Sequence, residues 1–181
     1  SGNDGGGIKI DGSKPTLSYL IIKDNAVGDR GGGIFCDNDA DFTLTHSTIS
    51  GNASHSYGGG IAFLGGSDAI IENVIIKNNT VVNDGGGGIG MHDSSPVFHN
   101  VLIADNITEN SASGMKANDS HPHFYNCTFS GNNTVNDGNA GSSIWISAGN
   151  YTSTLILVNT IIWNDDNTSE IHLNADAGMI T

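Results

Sequence analysis

Several features common in small domains are scarce in this 181-residue chain. Only two cysteines occur, Cys36 and Cys127, too few for a disulfide framework, so stability has to come from a core. Basic residues are rare: six Lys plus Arg stand against 19 Asp plus Glu, a formal charge of −13. That balance excludes nucleic acid and an anionic membrane surface as natural partners. No apolar run reaches the roughly 18 residues of a spanning helix, so no membrane insertion is expected. Helical signals are missing as well, since no stretch joins 3.6-residue apolar spacing to caps. Nor does a charged and then apolar leader open the chain at Ser1, which reads as the start of a mature or excised segment.

What is abundant is glycine, 26 residues in all, and its placement is periodic. Gly5-Gly6-Gly7-Ile8 recurs at Gly31 to Ile34, Gly58 to Ile61 and Gly86 to Ile89. Reduced copies follow at Ser113-Gly114-Met115, Ser142-Ser143-Ile144 and Ser169-Glu170-Ile171. The anchors Ile8, Ile34, Ile61, Ile89, Met115, Ile144 and Ile171 are 26, 27, 28, 26, 29 and 27 residues apart. Self-similarity at such a period marks a repeat architecture and outranks local propensity.

The second half of each repeat is as regular as the first. One apolar column reads Leu17, Leu44, Ile71, Phe98, Phe124, Leu157, and another Ile22, Ile49, Ile76, Ile103, Phe129, Ile162. Three residues after the latter come Asn25, Asn52, Asn79, Asn106 and Asn132, with Asp165 in the sixth copy. The extra residues of the widened last repeat fall in a polar loop within 147–154. Apolar segments of three to five residues with period-two spacing, bounded by Gly, Asn, Asp and Ser, predict short strands. A lone short strand buries nothing, but stacked on its copy in the next repeat it does. The leucine-rich pattern and the nine-residue calcium-binding period are both absent. The chain therefore predicts one all-β domain over 1–181, a single-stranded parallel β-helix of about seven coils of ~27 residues.

The paired motifs Gly59-Gly60-Ile61 and Phe129-Ser130-Gly131-Asn132 resemble the repeats of chlamydial polymorphic membrane proteins. They are similar, more widely, to right-handed β-helix repeats of secreted bacterial surface proteins. The resemblance implies a right-handed coil and a secreted or cell-surface location.

Stacking gives each column an expected role. Ile8, Ile34, Ile61, Ile89 and Ile144 become an interior ladder, and Asn25, Asn52, Asn79, Asn106 and Asn132 an amide ladder at a bend. Asn73, Asn100, Asn126 and Asn159 form a second column of stacked amides, also expected at a bend. The glycines before each Ile serve positive φ or close backbone approach. Cys36 and Cys127 are expected as buried thiols, about three coils apart and beyond disulfide reach. Several ladder positions, Asn52, Asn106 and Asn132 among them, also read as Asn-x-Ser/Thr glycosylation sequons, as do Asn78 and Asn126.

Candidate chemistry is thin. The outward column of the first strand reads Lys9, Phe35, Ala62, Gly90, Lys116, Trp145, His172 and offers no carboxylate pair. Asp11 and Asp37 lie one coil apart just beyond it, near Asp39 and Asp41. Two carboxylates in register offer Ca²⁺ oxygen ligands, or an acid and a base. With Phe35 and Trp145 as stacking platforms they form the candidate glycan site. His99, His121 and His123 do not complete a tetrahedral metal set, so no metal centre and no cofactor beyond Ca²⁺ is expected. Ile21, Thr48, Ile75, Leu102, Thr128 and Ile161 should form an outward apolar stripe. Neither end of the repeat array shows a capping repeat, which leads to two expectations: a slice of a longer coil, or a subunit stacking head to tail on itself. The leading functional expectation is a non-enzymatic extracellular stalk, adhesin segment or filament subunit. The alternative is a polysaccharide-binding or pectate-lyase-like polysaccharide-degrading β-helix.

Overall fold

The computed structural model describes residues 4–136, 143–164, 169–174 and 177–180. Every strand pairs in parallel with its copies in neighbouring repeats, in four sheets of seven, seven, six and five strands. Sheet one runs from Ile8–Asp11 to Ile171–Leu173. Sheet two starts at Thr16–Ser18, sheet three at Ile21–Lys23 and sheet four at Ala26–Val27. No helix occurs among the described residues. Seven strands in sheet one are separated by six steps, so the coil makes about six full circuits rather than seven.

The periodic anchors are direct neighbours. Ile8 pairs with Ile34, Ile34 with Ile61, Ile61 with Ile89, Ile89 with Met115, and Met115 with Ile144. All but the half-buried Ile8 of these six are fully buried. Inside, Phe42, Phe63, Phe98, Phe124 and Phe129 form a run of ring contacts, the closest being Phe98 on Phe124 at 4.5 Å between centroids. Each such side chain removed from water stabilises the coil by roughly 1.5–3 kcal/mol. Cys36 and Cys127 are free, buried thiols, and burial pushes both thiol pKa values up.

Strands stay short because bends interrupt them at fixed places. Between sheets two and three, Tyr19, His46, Asn73, Asn100, Asn126 and Asn159 all adopt φ between +48° and +56°. Asn is among the few residues that enter this region readily, which explains the second amide column. That column is mostly exposed, and its amide contacts from Asn100 to Asn73 and from Asn159 to Asn126 are 3.3 and 3.2 Å. It is a bend device more than a satisfied ladder.

The glycine triplet divides two tasks. The first glycine bends, as Gly58 does at φ +61°. The third is squeezed: a Cβ on Gly60 would sit 2.5 Å from the Gly88 carbonyl and 3.0 Å from Asn79 Nδ2.

That amide belongs to the interior ladder. Asn79 Oδ1 accepts from both the N–H and Nδ2 of Asn52, each at 3.0 Å, while Asn79 Nδ2 donates to Asn106 Oδ1 and the Ile49 carbonyl. Asn52, Asn106 and Asn132 repeat the pattern. The sixth rung is Asn164, whose Oδ1 accepts from the Asn132 N–H at 3.0 Å. Asp165, the rung expected from the sequence, lies outside the described residues, and the amide one position earlier takes the place. An amide fits better because each rung has to donate as well as accept.

The squeezed glycine position changes as the ladder ends, from Gly114 to Ser143 to Glu170. The Glu170 carboxylate accepts from the Asn164 N–H and Nδ2 and from the Ser143 hydroxyl. It supplies the acceptors that another rung would bring.

Candidate functional site

A concavity lies over the outer face of sheet one. It is a cleft of about 390 Å³ whose lining includes Asp29, Arg30, Tyr57, Asp84, His92 and Asn118. One wall comes from the bends that lead into sheet one, where Arg30, Tyr57, Gly85 and Ser111 bridge in register. The other comes from the ends of the sheet-one strands, where His92 pairs with Asn118.

Tyr57 crosses the cleft. Its ring lies where a Cβ on Gly90 would be, 2.7 Å from Cδ1. The phenol is buried, and its O–H donates in a shared bond to the Met91 carbonyl at 2.5 Å and the Lys116 carbonyl at 3.2 Å. Burial, with the Asp84 charge nearby, pushes its pKa far up, so it stays a neutral donor. Lys116 reaches Asp84 Oδ1 at 2.5 Å and lies 4.9 Å over the Trp145 ring. Asp29 and Arg30 form a looser pair at 3.6 Å. The cleft thus presents polar groups of both signs around one buried phenol.

The structure redistributes the candidate glycan and Ca²⁺ residues. Asp11 and Asp37 do pair in register. One oxygen of each accepts from Asn38, whose Nδ2 donates to Asp11 Oδ1 at 2.7 Å and whose N–H donates to Asp37 Oδ1 at 2.9 Å. Phe35 is not an outward platform: it is 2% exposed. The Lys9 ammonium lies 5.2 Å over its ring, and the bend at Gly31 crowds its Cβ. Trp145 is half-buried between Lys116 and His172, with His172 at 5.0 Å, so its faces are partly taken. Its indole Nε1 is buried without a hydrogen-bond partner. Among the described residues no group of three or more His, Cys, Asp or Glu is placed to hold a metal ion.

Tyr57, Asp84 and the Lys116 ion pair were not singled out in the sequence. A signal existed, since the small residues Ala62 and Gly90 in the outward column leave room for a large side chain from the adjacent bend. The long loop at 148–152 was expected only as a swelling. It folds back on Asp119, whose carboxylate accepts from the N–H groups of Gly149, Tyr151 and Asn150. Those bonds hold the Asp119 carboxyl below the usual range. Of the sequons, Asn52, Asn106 and Asn132 are buried rungs, whereas Asn78 and Asn126 are exposed.

Sheet three carries the apolar stripe. Ile21 is 73% exposed and Ile161 61%, with Ile75, Leu102 and the two threonines between them. Beside it, Lys23 and Lys77 point outward, and no acid occupies an outward position of that sheet.

Neither the curated proteins nor the solved structures give a match to this chain. The sequence model of the right-handed β-helix region matches residues 32–180, and the parallel four-sheet coil has the architecture that description requires. The chain belongs to the right-handed β-helix family.

Proposed function

We propose that this coil serves as a secreted or cell-surface structural rod, a stalk or adhesin segment that holds other parts of an assembly at a distance. The observation that carries this reading is the unbroken amide ladder from Asn25 to Asn164, which links every coil through side chains as well as backbone. A coil tied at each level resists bending and local opening, which is what a spacer needs. Likeness of the Gly-Gly-Ile and Phe-x-x-Asn motifs to chlamydial polymorphic membrane protein repeats supports the surface location. Stacking of copies head to tail into a filament is the less favoured form, because Glu170 already satisfies the last rung.

Electron microscopy and small-angle scattering test the rod directly. Straight particles of constant width and defined length are expected; a flexible or globular particle would overturn the reading.

The cleft over sheet one favours a second reading, glycan binding or cleavage, with Ca²⁺ at Asp11 and Asp37 as its cofactor. Acidic polysaccharides with and without Ca²⁺ are the test substrates. Depolymerisation that disappears in Asp37→Ala or Asp84→Ala would replace the purely structural reading with this one.

A further inference from the structure

Among the described residues, sheet three is the one face of this acidic rod whose outward strand positions hold cations but no acid. Of the six basic residues in the chain, Lys23 and Lys77 lie there. The stripe Ile21, Thr48, Ile75, Leu102, Thr128, Ile161 spans five parallel steps, about 24 Å at ~4.8 Å each. On one side of it runs the column of Lys23, Lys77 and Trp163. On the other runs the bend column that includes Tyr19, Asn73 and Asn159, and past it the outward column of sheet two, which includes Ser18, Glu72 and Val158, with the Glu72 carboxylate accepting from Asn73 Nδ2 at 3.4 Å.

We infer that this face packs against the same face of a second copy, with the two rods side by side and pointing the same way. A two-fold axis parallel to the coil keeps every residue at its own height and exchanges the two flanks. Each residue of the stripe then meets itself: Ile75 meets Ile75, Leu102 meets Leu102, Thr48 meets Thr48. Lys77 is delivered to Glu72 of the other copy, since both sit in the same coil, five residues apart. Trp163, 65% exposed, is delivered to Val158, 39% exposed, at the far end. Lys23 meets Ser18 and the edge of Tyr19, which is itself 77% exposed and stacked on His46. No like charges meet, and the exposed apolar residues at both ends of the stripe find apolar partners.

The opposite arrangement, with the rods antiparallel, also matches the stripe, because Ile-Thr-Ile-Leu-Thr-Ile reads nearly the same backwards. It brings Lys77 to Ala104, however, and leaves the lysine without an acid. Charge pairing selects the parallel form. A dimer of this kind goes beyond the rod reading and is independent of it, since a rod that stays single is still a rod.

Sedimentation equilibrium of the full chain tests the association, with the far-ultraviolet spectrum as the check on folding. A concentration-dependent dimer is expected. Ile75→Asp, which sets like charges against each other on the axis, should weaken it by tenfold or more. Glu72→Lys and Lys77→Glu should each weaken it, and the double swap should restore it. Under oxidation, Thr48→Cys should form a linked dimer with itself, while Cys36 and Cys127, being buried, stay out of the reaction. A folded protein that remains monomeric at millimolar concentration overturns the proposal. So does a double swap that fails to restore association, or a cross-link formed only between Thr48→Cys and Thr128→Cys chains, which would signal the antiparallel pairing.

Discussion

Two asparagine columns run along this coil at the same period, and they do different work. Asn52, Asn79 and Asn106 are fully buried, and each donates and accepts through its side chain. Asn100, Asn126 and Asn159 are exposed residues at left-handed φ, with one amide contact each among those resolved. The interior column is chosen for its hydrogen bonds, the exterior one for the backbone angle it tolerates. Identical periodicity therefore does not mean identical cause.

Substitution should separate the two. The largest effect is expected for Asn79→Ala, which leaves the Asn52 N–H and one of its two Nδ2 hydrogens without an acceptor inside the coil and removes the side-chain donor to the Ile49 carbonyl. At roughly 1–3 kcal/mol per unsatisfied buried group, the loss should be about 3 kcal/mol or more in chemical denaturation. Asn79→Gly should be no milder, because backbone freedom supplies none of the missing bonds. Next comes Gly60→Ala, whose methyl would collide with the Gly88 carbonyl and press on the same ladder. Overpacking of this kind typically costs about 1–3 kcal/mol, again read from the denaturation midpoint.

The exterior column should behave in the opposite way. Asn100→Ala should cost about 1 kcal/mol, the order of the left-handed penalty for a residue with a Cβ, whereas Asn100→Gly should be close to neutral. If Gly proved as damaging at Asn100 as at Asn79, the distinction between the columns would collapse.

The smallest expected effect is local. Asp119 holds the 148–152 loop with a carboxylate whose pKa is depressed by backbone N–H bonds. Such a group contributes stability above its unfolded pKa of about 3.9 and loses it as pH falls through the lower folded value. The protection factors of the Gly149 and Tyr151 amides, taken relative to the intrinsic exchange rate at each pH, should therefore be high near neutrality and fall at strongly acidic pH. Asp119→Asn should remove that pH dependence.

Most of the fold was legible in the chain because stacking converts sequence period into spatial neighbours. Ile34 beside Ile61 follows once the repeat is seen. The second amide column was legible as stacked amides at a bend but not as a set of left-handed residues, since φ leaves no mark beyond a preference for Asn and Gly. The Tyr19 and His46 members of the same column hid it further. The candidate site was least legible. Phe35 lies on the outward face by alternation, yet Lys9 and the Gly31 bend bury it. The cleft depends on Tyr57, Asp84 and Lys116, which come from different coils and share no column. Contacts across coils and across columns have no period to betray them.

The Tyr57 side chain also bears on how the coil comes apart. Most bonds here join a coil to the next one, the arrangement that lets a solenoid fray level by level from an end. Tyr57 instead reaches past its immediate neighbour, fastening its own level to those of Met91 and Lys116 at once. Melting that arrives at the middle of the molecule must release three levels together, so the centre acts as a single cooperative block while the tips loosen singly.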